Sequence, residues 1–309
     1  MRKIRIRGYG VSLPKKTVKF GEQIRYRLTG EESQFNLAVD ACKKALENAD
    51  LSINDVDCIV SASAVGVQPI PCTAALIHES IAKGTDIPAL DINTTCTSFI
   101  SSLDIMSYMI EAGRYKRVLI VSSDSASMGL NPNQKESYEL FSDGAAAIII
   151  EKTEENKGII SAVQKTWSEG AHSTEIRGGL ANLHPENYSE ETKEEFMFDM
   201  KGKIILSLSK KKIPEMLTEF LKENNIDIAD IDMTVPHQAS SAMPSVMKKL
   251  GISEGKYINI VAEYGNMVSA SVPFTLCYGL ENGMLKTGDT VLLIGTAAGL
   301  TTNILLIKL

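Results

Sequence analysis

The chain has one tryptophan, four histidines and five cysteines in 309 residues. It has no run of about 18 apolar residues, so no segment reads as a membrane-spanning helix. It has no long basic run, and its formal net charge is -6. The densest basic stretch, Lys210-Lys211-Lys212, reads as a solvated helix face. Nucleic acid is therefore a poor partner for this chain. The start, Met1-Arg-Lys-Ile-Arg-Ile-Arg7, alternates charge and isoleucine like an early strand and lacks the apolar core of a signal peptide. The cysteines, at positions 42, 58, 72, 96 and 277, show neither metal-ligand pairing nor the density of a disulfide framework. That usage fits a reducing cytoplasm, with four of the five expected as small core hydrophobes. What remains, 44% hydrophobic and 23% charged, is the composition of a soluble globular protein.

A repeat organises the chain. Ile53-Asn-Asp-Val-Asp57-Cys-Ile-Val-Ser-Ala-Ser-Ala64 resembles Ile228-Ala-Asp-Ile-Asp232-Met-Thr-Val-Pro-His-Gln-Ala239, with an offset of 175 between 53 and 228. A helix-like segment precedes each copy, Leu37 to Asn48 and Ile213 to Asn224. Later, Ile110-Glu-Ala-Gly113 leads into the apolar strand Val118–Ser122, and Leu280-Glu-Asn-Gly283 leads into Val291–Gly295. Each half opens and closes on a strand: Lys3–Gly8 and Ala145–Ile150 in the first, Gly158–Val163 and Asn303–Ile307 in the second. Helix and strand signals alternate, and the strands are short and apolar on both faces. That pattern predicts an α/β protein with sheets covered on both sides. We expect two duplicated halves, 1–155 and 156–309, related by a pseudo-twofold axis. Residues 166–200 fall outside the repeat. They are polar and glutamate-rich and read as an insertion or long surface connection, a candidate cap over a site. His78, His172 and His184 lack any partner pattern and read as structural or surface histidines.

Cys96 lies where the strand signal of Pro88–Asn93 gives way to a helical pattern, Phe99, Leu103, Met106 and Ile110. A thiol there meets unpaired N–H groups and the positive end of a helix dipole, both of which favour the nucleophilic thiolate. The second half offers two loops of interest. Thr234-Val-Pro-His237-Gln-Ala follows a strand, and Glu263-Tyr-Gly-Asn266-Met-Val-Ser leads into a helix. The repeat sets the Asn266 turn opposite the Cys96 turn, so Cys96, His237 and Asn266 are expected to share one pocket. Cysteine can accept and release an acyl group. A neutral imidazole N–H and an amide N–H₂ can both donate to one oxygen, which stabilises an enolate or a tetrahedral oxyanion.

At these residues the chain resembles the thiolase superfamily, and within it the β-ketoacyl-acyl carrier protein synthase III group. The resemblance is carried by the Cys96 segment, Val235-Pro-His-Gln-Ala239, Gly265-Asn266 with Ser269-Ala-Ser-Val-Pro273, Phe141-Ser-Asp-Gly144-Ala, and Gly295-Thr-Ala-Ala-Gly299-Leu-Thr. It covers nearly the whole chain in matching order. It implies a five-layered αβαβα fold, a homodimer, and a catalytic trio of Cys96, His237 and Asn266. Cys96 would take an acyl group from acyl-coenzyme A as substrate. A malonyl thioester, with acyl carrier protein as a candidate partner, would then lose carbon dioxide and attack the acyl-cysteine. The backbone N–H groups of Cys96 and Ala298 would form the oxyanion hole. No metal or redox cofactor is implied.

The chain departs from the pattern at several points. Ile24-Arg-Tyr-Arg-Leu-Thr-Gly30 lacks the tryptophan that helps relatives grip coenzyme A, and about nine following residues are missing. The basic position after His-Gln-Ala is replaced by Ser240-Ser-Ala-Met-Pro244, and a second basic position falls near Ser207. Thr296 stands where the family has a phenylalanine, and Ile70 where members often place an aromatic that reaches the partner's acyl pocket. Ile70 and Thr296 are therefore the acyl-pocket candidates. The alternative to condensation is acyl transfer to an alcohol, an amine or water on the same trio, without a new carbon–carbon bond. A non-enzymatic scaffold is disfavoured because all three reactive residues are present.

Overall fold

The computed structural model describes residues 1–309. Its strands are β1 (Ile4–Ser12), β2 (Lys16–Phe20), β3 (Gln23–Arg27), β4 (Cys58–Ser61), β5 (Ala89–Asp91), β6 (Arg117–Asp124), β7 (Gly144–Lys152), β8 (Gly158–Thr166), β9 (Thr174–Glu175), β10 (Asp199–Met200), β11 (Met233–Pro236), β12 (Thr290–Ala297) and β13 (Thr301–Lys308). Its helices are α1 (Gln34–Asn48), α2 (Thr73–Ile81), α3 (Ser98–Glu111), α4 (Lys135–Tyr138), α5 (Gly202–Glu223), α6 (Met243–Lys249), α7 (Val261–Tyr264) and α8 (Ser271–Glu281).

Two mixed sheets dominate. The first runs in the order β1-β7-β6-β4-β5, the second β8-β13-β12-β11. In each, two antiparallel pairings are followed by a parallel one, β6 with β4 and β12 with β11. The second sheet has no full counterpart of β5. There the chain makes only an isolated parallel bridge, Thr234 to Tyr257.

The strands are buried on both faces because their alternate side chains feed different layers. Val118 and Ile120 of β6 and Ile148 and Ile150 of β7 face a central core with α3 and α8, which also receives Leu293 and Leu305 from the second sheet. Leu119, Val121 and Ile149 point the other way, onto α1 and α2. Leu292, Ile294, Ile304 and Leu306 point outward in the second sheet, onto α5 and α6. The layers are thus α1/α2, sheet, α3/α8, sheet, α5/α6, the five-layered αβαβα arrangement of the thiolase fold. Local signals agree with it: Ser33 caps α1 by accepting from Asn36 N–H, and α1 buries Leu37, Ala41, Ala45 and Leu46 on one stripe.

Three expectations are corrected. The helix expected to begin at Ile213 begins at Gly202 and carries Pro214 inside it. Its first three turns were masked by the proline and the lysine run, which look like a boundary. Only three cysteines, 42, 58 and 277, are core residues, because Cys72 is exposed at the start of α2. The repeat that sets the Asn266 turn opposite the Cys96 turn implies a strand before each, and before the Asn266 turn there is only the isolated bridge described above. The 166–200 segment is tied down by the β9–β10 pairing, by Arg177 bonded to Glu195, Glu175 and Asp199, and by Phe198 edge-on to Phe141 at 4.9 Å.

Candidate active site

Cys96 sits in a tight 3₁₀ turn, Thr95–Thr97, that runs directly into α3. Thr95 takes the left-handed conformation, φ 51°, and its N–H donates to Asn93 Oδ1 at 2.8 Å. Thr94 N–H donates to Ser98 Oγ at 3.0 Å. The same device recurs in the second half. Val268 has φ 52°, its N–H donates to Asn266 Oδ1 at 2.8 Å, and Met267 N–H donates to Ser271 Oγ at 2.9 Å. Asn93 thus corresponds to Asn266, and the strict counterpart of Cys96 is Ser269. The signal was present in the sequence as Asn93-Thr-Thr-Cys-Thr-Ser98 against Asn266-Met-Val-Ser-Ala-Ser271, at an offset of 173.

The two turns pack against each other, and the Cys96 turn also packs on β12. His237 follows β11, with its backbone N–H donating to Ile294 of β12 at 2.8 Å. Gln238 fixes that loop from the side. Its amide donates to Pro236 and Ile258 carbonyls, and its Oε1 accepts from Ile260 N–H at 2.9 Å. Gly295 permits the convergence. A Cβ there would lie 3.1 Å from both the His237 Cβ and the Thr97 Cγ2. The loop after β12 comes close on the other side: Thr95 Oγ1 lies 3.4 Å from the Ala298 carbonyl oxygen. The structure therefore brings Cys96, His237, Asn266 and Ala298 into one neighbourhood. Thr296 also lies there, and Ile70 does not. Ile70 is 84% exposed on the loop before α2.

The electrostatics differ from the expectation of a thiolate. Cys96 is half-buried, and desolvation of its thiol pushes it up to about 12. The Ala298 N–H and Cys96's own N–H pull it down, while the Asp124 charge pushes it further up. Desolvation outweighs the turn's N–H groups, so the resting residue is a thiol. His237 is likewise desolvated, which holds its imidazole down at about 4, so it is neutral near pH 7. Its Nδ1 is buried with no hydrogen-bond partner. Asn266 is buried, with its Oδ1 taken by Val268 N–H at 2.8 Å and Ser271 Oγ at 3.4 Å. The amide NH₂ is left as the group to offer a ligand. A neutral ring N–H and a free amide are donors to an oxygen that is gaining charge.

Two further residues were not picked out from the sequence. Asp124, at the end of β6, is 2% exposed and accepts from Ala64 and Val65 N–H and from both the N–H and hydroxyl of Ser269. It pins the two halves together behind the site. Burial pushes its carboxyl up to about 6 against those bonds. Arg25 is the second, on the β2–β3 hairpin.

His237 and Asp124 act on stability with opposite signs in the same pH range. The histidine's folded value of about 4 lies below its ordinary 6.5, so the unfolded chain binds more protons between them and stability falls as pH falls. The aspartate's folded value of about 6 lies above its ordinary 3.8, so stability rises as pH falls through that window. The two largely offset. Asp124→Asn is expected to expose the histidine's effect: its Tm should drop more steeply than the wild type's between pH 6.5 and pH 4. Parallel Tm-against-pH lines for the two proteins would remove this account.

A cavity of about 200 Å³ opens beside His237 and Thr296 and runs between α5 and α6. Leu206, Ser209, Met243 and Met247 line it, with Met200 delivered by the 166–200 segment, while Cys96 does not reach its wall. The remaining histidines bond locally: His172 to Glu175, His184 to Glu186 N–H, and His78 to Thr85. No group of three or more His, Cys, Asp or Glu side chains is placed to hold a metal ion. No helix is long and apolar enough to cross a membrane.

Comparison with known proteins points one way. Residues 90–168 match the family model described as 3-oxoacyl-[acyl-carrier-protein (ACP)] synthase III, and residues 221–309 match its C-terminal model. A β-ketoacyl-[acyl-carrier-protein] synthase III of Clostridium perfringens (strain ATCC 13124) is 36% identical over 290 residues, covering 94% of this chain and 88% of the relative. The enzyme of the same name from Staphylococcus haemolyticus is 31% identical, covering 92% and 87%. Among solved structures, 3-oxoacyl-[acyl-carrier-protein] synthase III from Aquifex aeolicus VF5 superposes with a TM-score of 0.88 at 25% identity, covering 99% of this chain and 100% of that one. The priming β-ketosynthase of the R1128 polyketide pathway superposes with a TM-score of 0.89 at 22% identity, covering 99% and 96%.

Proposed function

The chain belongs to the 3-oxoacyl-[acyl-carrier-protein] synthase III family, and from that premise we propose how its residues divide the reaction. The activity is acyl transfer followed by decarboxylative Claisen condensation with a malonyl thioester. Cys96 Sγ attacks the carbonyl carbon of acyl-coenzyme A. The tetrahedral oxygen is held by the N–H groups of Cys96 and Ala298, the same two amides that pull the thiol's pKa down. The coenzyme thiolate leaves and the thiol proton is released with it. The malonyl thioester then enters along the cavity beside His237. Its carboxylate leaves as carbon dioxide, and the bonding pair becomes an enolate whose oxygen accepts from His237 and Asn266. The enolate carbon attacks the acyl-cysteine carbonyl. The new carbon–carbon bond forms as the carbon–sulfur bond breaks, and Cys96 leaves as a thiolate that takes up one proton from solvent to restore the resting thiol.

The observation that carries this reading is the meeting of two duplicated turns, one bearing a thiol beside the Ala298 amide and the other an asparagine whose oxygen is already occupied. Neutral His237 fits the same chemistry, because a protonated ring is not needed to donate one hydrogen bond. Thr296, with its small side chain, sits where that cavity meets the acyl-cysteine and leaves room for the acyl group, and the exposed Ile70 loop closes the acyl pocket of a partner copy in a homodimer. The free cysteines fit a cytoplasmic setting.

Intact-protein mass spectrometry tests the order of events. An acyl-coenzyme A is expected to add one acyl group to the chain, and malonyl-coenzyme A or malonyl carrier protein to remove it as a chain-extended product. Release of the acyl group with no chain extension from either malonyl donor would instead establish simple acyl transfer.

A further inference from the structure

The β2–β3 hairpin carries an arginine that is 1% exposed. No carboxylate pairs with it. The Arg25 guanidinium donates to four backbone carbonyls: Ile24 at 2.6 Å, Glu139 at 2.7 Å, Val261 at 3.0 Å and Ala262 at 3.1 Å. Nη1 serves three of these carbonyls and Nε the Glu139 one, while Nη2 bonds the Gln23 side chain. A buried cation held by neutral oxygens is unusual, because a carboxylate would compensate the charge better. What such a cation does well is fix several carbonyls in one plane and direction.

The carbonyls it holds flank the turn that bears Asn266. Val261 and Ala262 belong to α7, which ends one residue before Gly265-Asn266. Glu139 precedes Leu140, whose carbonyl accepts from Asn266 N–H at 3.0 Å. Two residues further on, Ser142 N–H donates to the Asn266 carbonyl at 2.8 Å. Arg25 therefore bridges the two strands of chain between which Asn266 is bonded. The fit is close: Gly265 has φ +72°, and a Cβ there would lie 2.6 Å from both Arg25 Cδ and Ser142 Oγ. Stacking of Tyr26 on Tyr264, 5.8 Å between ring centres, presses the same hairpin on the same short helix.

We propose that Arg25 is a positioning residue for the Asn266 amide in the decarboxylation half of the reaction. This rests on the role given to Asn266 above. Arg25 touches neither substrate nor Cys96, and acts by setting where the Asn266 NH₂ lies relative to His237. A displacement of about 1 Å at a catalytic donor can cost roughly a hundredfold.

The test separates the two half-reactions. Arg25→Met removes the donors and keeps most of the volume. It is expected to form the Cys96 acyl-enzyme within about twofold of the wild-type rate, and to decarboxylate malonyl-coenzyme A roughly tenfold to a hundredfold more slowly. Arg25→Lys, which keeps the charge and folds under the same constraints, should show full acylation with an intermediate loss of decarboxylation. Equal losses in both half-reactions would mean a general structural role and overturn the proposal, as would wild-type decarboxylation in either variant. Asn266→Ala, run alongside, reports on the underlying reading. If it decarboxylates normally, Asn266 has no such role and both readings fall. If it is impaired while the Arg25 variants are not, only the positioning role falls.

Discussion

Cys96→Ala is expected to form no acyl-enzyme and to lose condensation by about 10⁴-fold or more, the scale on which removing a covalent nucleophile acts. The residue has no substitute nearby. Cys42, Cys58 and Cys277 are buried in the core, and Cys72 is exposed at the start of α2. Cys96→Ser is expected to fail almost as completely, because a hydroxyl in this desolvated setting has no base to draw its proton. The only imidazole in the neighbourhood is held at about 4 and is a weak base. The wild-type thiol, pushed up to about 12, should behave accordingly. Its alkylation by iodoacetamide should keep accelerating as pH rises past 9, with no plateau near neutrality. A plateau near pH 7 would show that the resting residue is a thiolate stabilised by the turn. An acyl adduct on Cys96→Ala, with the same mass increment as on the wild type, would move the nucleophile elsewhere in the chain.

His237→Ala should divide the reaction. Decarboxylation of the malonyl thioester is expected to fall by roughly 10²–10³-fold, the usual effect of deleting one donor to a developing oxyanion. Acylation of Cys96 should fall far less, since the Cys96 and Ala298 amides serve that step. The ring's low pKa adds a second signature. Because His237 is already neutral well below pH 7, the decarboxylation rate should show no acid limb assignable to it between pH 5 and pH 8. A limb near pH 6.5 that vanished in His237→Gln would show instead that the histidine cycles its proton. Equal loss of both half-reactions in His237→Ala would mean that the ring supports the site rather than the enolate.

The order of elements and the pairing of the two halves were legible because strand and helix periods alternate and because Ile53–Ala64 and Ile228–Ala239 share a pattern. That Cys96, His237 and Asn266 would lie in one neighbourhood was legible for the same reason. Electrostatics was not. A sequence shows that a cysteine opens a helix, yet it does not show how much protein covers the sulfur, and here cover decides the sign. Arg25 was equally hidden. The partners that tie it to the site are carbonyls more than 100 residues away, at Glu139 and Val261, and backbone acceptors leave no mark on side-chain identity. Asp124 was hidden for a related reason: most of its bonds go to N–H groups, and its one hydroxyl partner, Ser269, lies 145 positions on. The missed start of α5 reflects Pro214, which the helix accommodates beyond its first turns.

The two matching turns also set the stoichiometry of the protein. Ser269 stands where the first half has its thiol, and both its N–H and its hydroxyl are committed to Asp124. That hydroxyl is not available to carry a second acyl group, so one loading position per chain, rather than two, is expected. Titration with an acyl donor should saturate at a single equivalent per polypeptide, however symmetric the scaffold around it. The asymmetry lies in a one-atom exchange, sulfur for oxygen, together with a carboxylate that locks the oxygen away.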